Sequence, residues 1–365
     1  MRKPDLPPTQ KELAKALGMA QSTVSMALRG HPSITGRTRE QVLEAAAAMG
    51  YRPNPTGTAL AHLRQTSTVA PVQASLAWIN GWSEPEKLRS YREFDLYWEG
   101  AAQEAMEHGY RLDEFVVGAD LPLPRLERIL RARNVRGLLV PPGPMPAGWE
   151  GFDWGGFSVV RLSHLPDPGE FAPCAVVGDQ TSNALVAVRN ISRKGYRRIG
   201  FAGNSDARRG FAAGFLWGQQ ELPEVLRVPP LLMASDDPVE WERHFREWFQ
   251  MYRPDAVLTD IPEVPAALSR LDVSVPDEVG VAALGILDCP VTAGIDQNSR
   301  EIGRSAVQML HALIKDGALG LPRIHRELLV KGTWVDGDSL PERGAGLDSR
   351  REQGHLNSTT VVSPG

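Results

Sequence analysis

The sequence predicts an α/β protein: a small all-helical head followed by two doubly wound α/β lobes. Three observations lead there. Residues 9–50 carry three short helical patterns and no strand pattern. From about residue 75, short apolar strands alternate with helices, which implies parallel sheets covered on both faces. That alternation continues for about 260 residues, more βα units than a single lobe holds. With 365 residues, 42% of them hydrophobic and 23% charged, the chain lies in the globular range and has enough apolar surface for a sizeable core.

In the head, Thr9 is placed to N-cap the first helix, and Glu12, three residues on, completes a capping box. Leu13, Ala14 and Leu17 form its apolar stripe, and Gly18 ends it. The second helix runs from about Gln21 to Arg29 with Val24, Ala27 and Leu28 inward, until Gly30, His31 and Pro32 break it. Thr35 or Gly36 starts the third, whose buried side is Val42, Leu43, Ala46 and Met49, and Gly50 stops it. Two helices around a tight turn, the second polar on its outer face, fit a helix-turn-helix. The stretch "YRPNPTGTALAHLRQTS" that follows is a marginal helix or linker, too short to be stable alone.

In the body, the strands read as "SLAWI" (75–79), "RLDEFVV", "VRGLLV", "SVVRL", "CAVVG", "RRIGFAG", "DAVLT" and "EVGVAAL". A helix over "FDLYWEGAAQEAMEHG" turns Phe94, Trp98, Ala101 and Ala105 inward, and further helices are expected near 123–133, 181–194, 207–220, 238–252 and 299–316. Residues 81–93 form a long polar connection. After about Gly337 the chain is polar and aperiodic, so a disordered tail is expected over 337–365.

The net charge of −4 is unevenly spread. Residues 1–64 carry +5, which leaves −9 on the remainder: a basic head suited to phosphate on an acidic body. Cys174 and Cys289 are too few and too far apart for a disulfide framework or a CxxC metal site, which fits a reducing cytoplasm. Arg2 and Lys3 are not followed by an apolar h-region, and no apolar run reaches membrane-spanning length, so neither a signal peptide nor a membrane partner is expected. No GxSxG elbow, P-loop, HExxH or cysteine–histidine motif occurs, so neither catalysis nor a cofactor or metal is expected.

"TQKELAKALGMAQSTVSMALRGHPSITGRTREQVLEAAAAMGYRPNPTGTALA" resembles the DNA-binding head of the LacI/GalR family of bacterial transcription regulators. The resemblance rests on Ala14, Gly18, Thr23, Val24, Ser25, the "TRE" at 38–40, and "GYRPN" with its following Ala-Leu-Ala. It implies base contacts in the major groove from Gln21, Ser22 and Met26, where family members commonly carry Arg at the position of Met26. It implies backbone contacts from Thr9, Thr23, Ser25, Arg29, Tyr51 and Asn54, although Thr9 is equally a helix cap and Tyr51 equally a core residue. Residues 53–69 would be the hinge helix, folding on DNA with Leu60 wedged into the minor groove; the alternative is that Leu60 only packs the linker. Two heads on one inverted repeat imply a homodimer on double-stranded DNA.

For residues 70–336 the resemblance implies the two-lobed periplasmic-binding-protein type of fold. The first lobe would span about 70–194 with a return near 294–320, and the second about 195–290 with a last segment near 325–336. Small molecules bind such folds in the crevice at the strands' carboxyl ends. That assigns Asn80, Trp82, Asp179, Arg208, Arg209, Asp260, Asp288 and Gln297 to a sugar or sugar-like effector. Asp179 is equally a helix cap, Trp82 equally a core residue, and Asp288 is alternatively a hinge residue. Phe211 stands where family members often carry a ligand-clamping arginine, with Arg208 and Arg209 just upstream. The expected organisation is therefore a DNA-binding domain at 1–52, a hinge at 53–69, an effector-binding and dimerising body at 70–336, and a tail. The expected function is a ligand-responsive, cytoplasmic transcription regulator, most directly a repressor. Its rivals are a DNA-binding protein whose body only dimerises and, more remotely, a stand-alone small-molecule binding protein.

Overall fold

The computed structural model describes residues 8–28, 34–51, 74–144, 148–164, 172–204, 209–233 and 237–343. The chain divides into two compact units, Met1–Ala70 and Pro71–Gly365.

In the first unit, α1 (Gln10–Leu17), α2 (Gln21–Leu28) and α3 (Gly36–Ala48) enclose a small core. Leu13, Ala14, Val24, Ala27, Val42 and Ala46 are buried, with Leu17, Met19, Leu28, Ile34, Met49 and Tyr51 packed around them. The predicted capping box of Thr9 and Glu12 is present, and Gly18 terminates α1 at φ 61°, a left-handed conformation that a side chain would oppose. Thr35 caps α3 through the Thr38 amide. Leu43, expected in the core, is 47% exposed. Val42 and Ala46, at i and i+4, already fill the narrow inward stripe of α3, and Leu43 is turned about 100° away from Val42.

The second unit is built on two six-stranded sheets. The first joins β1 (Ala74–Asn80), β2 (Tyr110–Val116), β3 (Gly137–Val140), β4 (Ser158–Arg161), β5 (Cys174–Gly178) and β11 (Glu327–Val330) in the order β11-β5-β4-β3-β1-β2, all parallel. The second joins β6 (Ile199–Asn204), β7 (Leu231–Met233), β8 (Ala256–Thr259), β9 (Gly280–Ala283), β10 (Gly294–Asp296) and β12 (Thr333–Val335) in the order β12-β10-β9-β8-β6-β7, with β12 alone antiparallel. β3, β5, β8 and β9 are buried along their whole length, as strands covered by helices on both faces must be, and their sequences are correspondingly apolar.

On one face of the first sheet, α5 (Arg92–Glu107) crosses α11 (Ser299–Asp316) in close backbone approach at two glycines. A Cβ on Gly100 would overlap the Arg300 carbonyl oxygen, and one on Gly303 the Tyr97 carbonyl oxygen, so both positions demand glycine. α6 (Leu123–Ala132) contributes Leu123, Leu126 and Leu130 to a second apolar cluster with Ala77, Ile79, Leu138 and Val159. The polar connection at 81–93 contains a short helix, α4 (Pro85–Ser90).

The lobe boundaries differ from the expected ones. α7 (Gln180–Arg193) belongs to the second lobe, because Ala184, Ala187, Val188 and Ile191 pack with Phe201 and Phe215 of that lobe. β10 also joins the second sheet, whereas β11 returns to the first. The chain therefore crosses between lobes at 178–180, 296–299 and 330–333. α8 (Arg209–Gln219), α9 (Pro238–Tyr252) and α10 (Val264–Arg270) complete the second lobe.

The expected tail also begins too early. Leu340 is fully buried in the second lobe's core, the Ser339 hydroxyl donates to the Val281 carbonyl at 2.9 Å, and the Arg343 amide donates to Lys194 at 2.8 Å. One leucine in a polar stretch gives no periodic signal, yet it holds residues 337–343 against the sheet. Among the described residues no helix is long and apolar enough to cross a membrane.

Candidate nucleic-acid interface and ligand cleft

In α2, helical spacing turns Val24 and Ala27 into the core and leaves Gln21 and Ser22 exposed at the first turn, with Met26 one turn further on and half-buried. Thr23 and Ser25 are also half-buried. This is the geometry in which the first turn of a helix can reach base edges while the rest of it packs. Lys11, Lys15, Arg37 and Arg39 are exposed on the flanking helices.

Thr9 is engaged inside the protein. Its hydroxyl accepts from the Glu12 amide at 3.3 Å and donates to the Glu12 carboxylate at 2.9 Å, and its own amide donates to that carboxylate at 2.7 Å. These bonds hold the Glu12 carboxyl below the usual range, the Thr9 amide contributing most. Tyr51 packs against the head's core, and its amide closes on the Ala46 carbonyl at 2.9 Å. Arg29, Asn54, Leu60 and Arg208 lie outside the described residues, as do residues 52–73 as a whole.

In the body, the residues assigned to a ligand stand at the carboxyl ends of strands, and most of them bond to protein. Asn80, fully buried at the end of β1, donates to the Glu114 carboxylate (2.9 Å) and the Pro85 carbonyl (3.1 Å) and accepts from the Trp82 amide (3.0 Å). The Trp82 indole donates to the Pro142 carbonyl at 2.8 Å, and its ring lies against Gly143. Asp179 caps α7 by accepting from the Ser182 amide at 3.0 Å. Asp260, following β8, accepts from the Asn204 amide at 3.3 Å. Arg209 is exposed at the first residue of α8, and Phe211 is buried with Phe201 and Phe215.

Asp288 and Gln297 come together where the lobes meet. Asp288, on the segment after β9, accepts from the Arg92 amide at 2.7 Å and the Glu93 amide at 3.1 Å, both at the start of α5 in the other lobe. Gln297 is nearly buried between Gly178 of the first lobe and Gly285 of the second. The Glu93 carboxylate lies over the same Gly285, so close that a Cβ there would overlap it. Glu93 is 8% exposed and had no signal in the sequence, because an acid in a helix's first turn is ordinarily a solvated dipole partner. The hinge beside it is tied by the Asn298 side chain to the Lys331 carbonyl (2.8 Å) and the Thr333 hydroxyl (3.2 Å), and by Asn183 accepting from the Gly332 amide (2.8 Å).

A second residue was also missed. Arg161 closes β4 at 1% exposure, and among the described residues none of its guanidinium nitrogens has a hydrogen-bond partner. Burial pushes it down to about 10, partly opposed by the attraction of Glu327. The signal was legible as a charge inside the run "SVVRL". Among the described residues no group of three or more His, Cys, Asp or Glu side chains could hold a metal ion.

Two family models match the chain: the lacI family of bacterial regulatory proteins over residues 9–54, and the periplasmic binding protein-like domain over residues 188–340. The HTH-type transcriptional regulator AglR of Rhizobium meliloti (strain 1021) is 35% identical over 119 residues, which are 32% of this chain and 29% of AglR. The chain thus aligns with about a third of that curated relative's length. Its fold is similar to that of the transcriptional regulator CelR in complex with cellobiose (TM-score 0.56, 19% identity, 91% of this chain and 99% of that one). It is also similar to the lac repressor dimer bound to operator and an anti-inducer (TM-score 0.50, 15% identity, 92% and 100%).

Proposed function

This chain belongs to the LacI family of bacterial regulatory proteins, and from that premise we propose that it is a ligand-responsive transcription regulator, a repressor that binds an inverted-repeat operator as a cytoplasmic homodimer. The observation that carries this reading is α2, whose apolar side is buried while Gln21 and Ser22 stand exposed at its first turn. Gln21 suits bidentate pairing with adenine, Ser22 accepts several bases, and Met26 offers an apolar contact to a thymine methyl. Thr9, Thr23, Ser25, Arg29, Tyr51 and Asn54 are proposed to set the register on phosphates, and Leu60 to enter the minor groove. The body binds a small polyhydroxyl effector between its lobes, as cellobiose is bound by CelR, and residues 1–52, 53–69 and 70–336 act as reader, hinge and sensor. The role is recognition and coupling, with no catalysis.

One observation favours a second reading, in which the body dimerises and binds nothing. Asn80, Trp82, Asp179 and Asp288 all direct polar atoms at protein partners. A thermal-shift screen of mono- and disaccharides separates the two readings: stabilisation by one of them supports the sensor, and a uniformly flat screen supports the second reading.

The regulator itself is tested by selecting bound DNA from a random pool with the full chain at two salt concentrations. Enrichment of an inverted repeat is expected. Unpatterned DNA whose binding collapses as salt rises would mean that α2 only tracks phosphate, and would overturn the reading.

A further inference from the structure

α5 begins without a cap of its own. Tyr91 occupies the N-cap position and makes no side-chain bond to the helix, whose first amides ordinarily need an acceptor from outside it. The acceptor comes from the other lobe. Both oxygens of Asp288 are used, one on each amide, across 196 and 195 residues of sequence. Negative charge at a helix N-terminus is favoured by the helix dipole, and bonds from amides to an ionised carboxylate are among the stronger ones.

Each end of this contact is fixed to its own lobe. On one side, the Arg92 side chain bonds to Asp95 (2.5 Å) and Glu99 (3.0 Å), and Glu99 bonds in turn to Arg300 of α11, so α5 is tied to the first lobe. On the other, Leu284 and Ile286 donate to Thr259 and Ile295, so the segment carrying Asp288 is tied to the second. The contact lies beside Glu93 and Gly285, next to Gln297 of the 296–299 crossing, and adds a non-covalent tie to the covalent ones there. Moving the lobes apart would break both bonds and leave the carboxylate and the two helix-end amides to water.

We propose that Asp288 is a latch: seated on the first two amides of α5, it bridges the two lobes and sets how readily they part. The consequence for control rests on the regulator reading above. An effector between the lobes would act by adding to or competing with this one seat. A shift of about tenfold in the population of parted lobes, the scale of a single helix cap, is large enough to be felt and small enough for a ligand to override.

The test measures the spacing of the lobes in the full chain, with neither DNA nor effector present, so it stands or falls independently of the regulator reading. Spin labels are carried by Arg128→Cys on α6 and Met251→Cys on α9, both exposed positions. Cys174 is buried, and the half-buried Cys289, whose thiol burial pushes up to about 12, is removed by Cys289→Ser in every variant so that neither takes label. Three further substitutions are made in this background. Asp288→Ala removes the acceptor. Arg92→Pro removes one donor amide at the position where a helix accepts proline, after a residue already extended at φ −77°, ψ 118°. Arg92→Ala removes the side-chain bonds and keeps the amide. Asp288→Ala and Arg92→Pro are expected to raise the long-distance population about tenfold, with Arg92→Ala close to the parent. Unchanged distributions in the first two, or an Arg92→Ala shift as large as that of Arg92→Pro, would overturn the latch.

Discussion

The head and the body use polar side chains in opposite ways. At the first turn of α2, Gln21 and Ser22 stand exposed while Val24 and Ala27 fill the core. In the body, Asn80, Asp179 and Asp288 occupy the strand ends where ligands of such folds bind, yet each bonds to protein atoms. A polar residue on an exposed helix face has few structural duties, so its presence points outward. A polar residue at the end of a buried strand is needed to cap helices and close turns, so its identity alone does not reveal a partner.

The sharpest way to break this contrast is Asn80→Ala. It removes the partner that the half-buried Trp82 amide, Pro85 carbonyl and Glu114 carboxylate share, leaving Glu114 to Arg89, and is expected to cost about 1–3 kcal/mol of stability in urea unfolding. Unchanged stability with weakened effector binding would put Asn80 on the ligand side. Arg161→Met should act in the opposite direction. Apolar replacement of a buried charge often stabilises, here by about 1–4 kcal/mol, since Arg161 lies among buried strand residues with no hydrogen-bond partner among the described residues. The pH dependence has a definite sign. The folded-state value, about 10, lies below arginine's ordinary one, so the penalty is present in full below about pH 10 and fades as pH rises toward that ordinary value. The gap between parent and variant should therefore narrow above pH 10 in unfolding titrations.

Gln21→Ala tests the head's side of the comparison. It should weaken binding to the selected operator by about 1–3 kcal/mol and leave non-specific binding nearly unchanged, with the effect concentrated on one base pair of each half-site. Equal losses on both DNAs would mean that α2 contributes no base readout.

The same contrast explains what was legible in the sequence. Thr9, Glu12 and Gly18 define a helix by local bonds, so α1 could be read from eight residues and their flanks. The parallel strands were legible because burial on both faces leaves apolar runs such as "AVLT" and "CAVVG". The lobe boundaries were not. Whether α7 packs on the first sheet or the second depends on contacts with Phe201 and Phe215, which no local pattern encodes. Glu93 escaped for the same reason. It matters because Gly285, nearly two hundred residues away, leaves room for its carboxylate. Leu340 is a lone apolar residue whose burial depends wholly on the cavity that receives it.

The smallest expected effect probes a residue that the DNA reading and the capping reading share. Thr9 bonds to Glu12 in both directions, and the resulting downward shift of the Glu12 carboxyl means that the folded value lies below the ordinary 4.5. The contribution of this pair is therefore complete above pH 4.5 and is lost as pH falls through the folded value. Relative to the intrinsic rate at each pH, amide protection at Thr9 and Glu12 should fall over that window in the parent and stay level in Glu12→Gln, while Thr9→Ala should lower protection at Glu12 roughly two- to five-fold at neutral pH. If Thr9→Ala leaves exchange untouched but weakens operator binding, the hydroxyl serves phosphate and the cap is incidental. If both change, the cap places the threonine, and α1 owes its alignment on DNA to a bond made entirely within the protein.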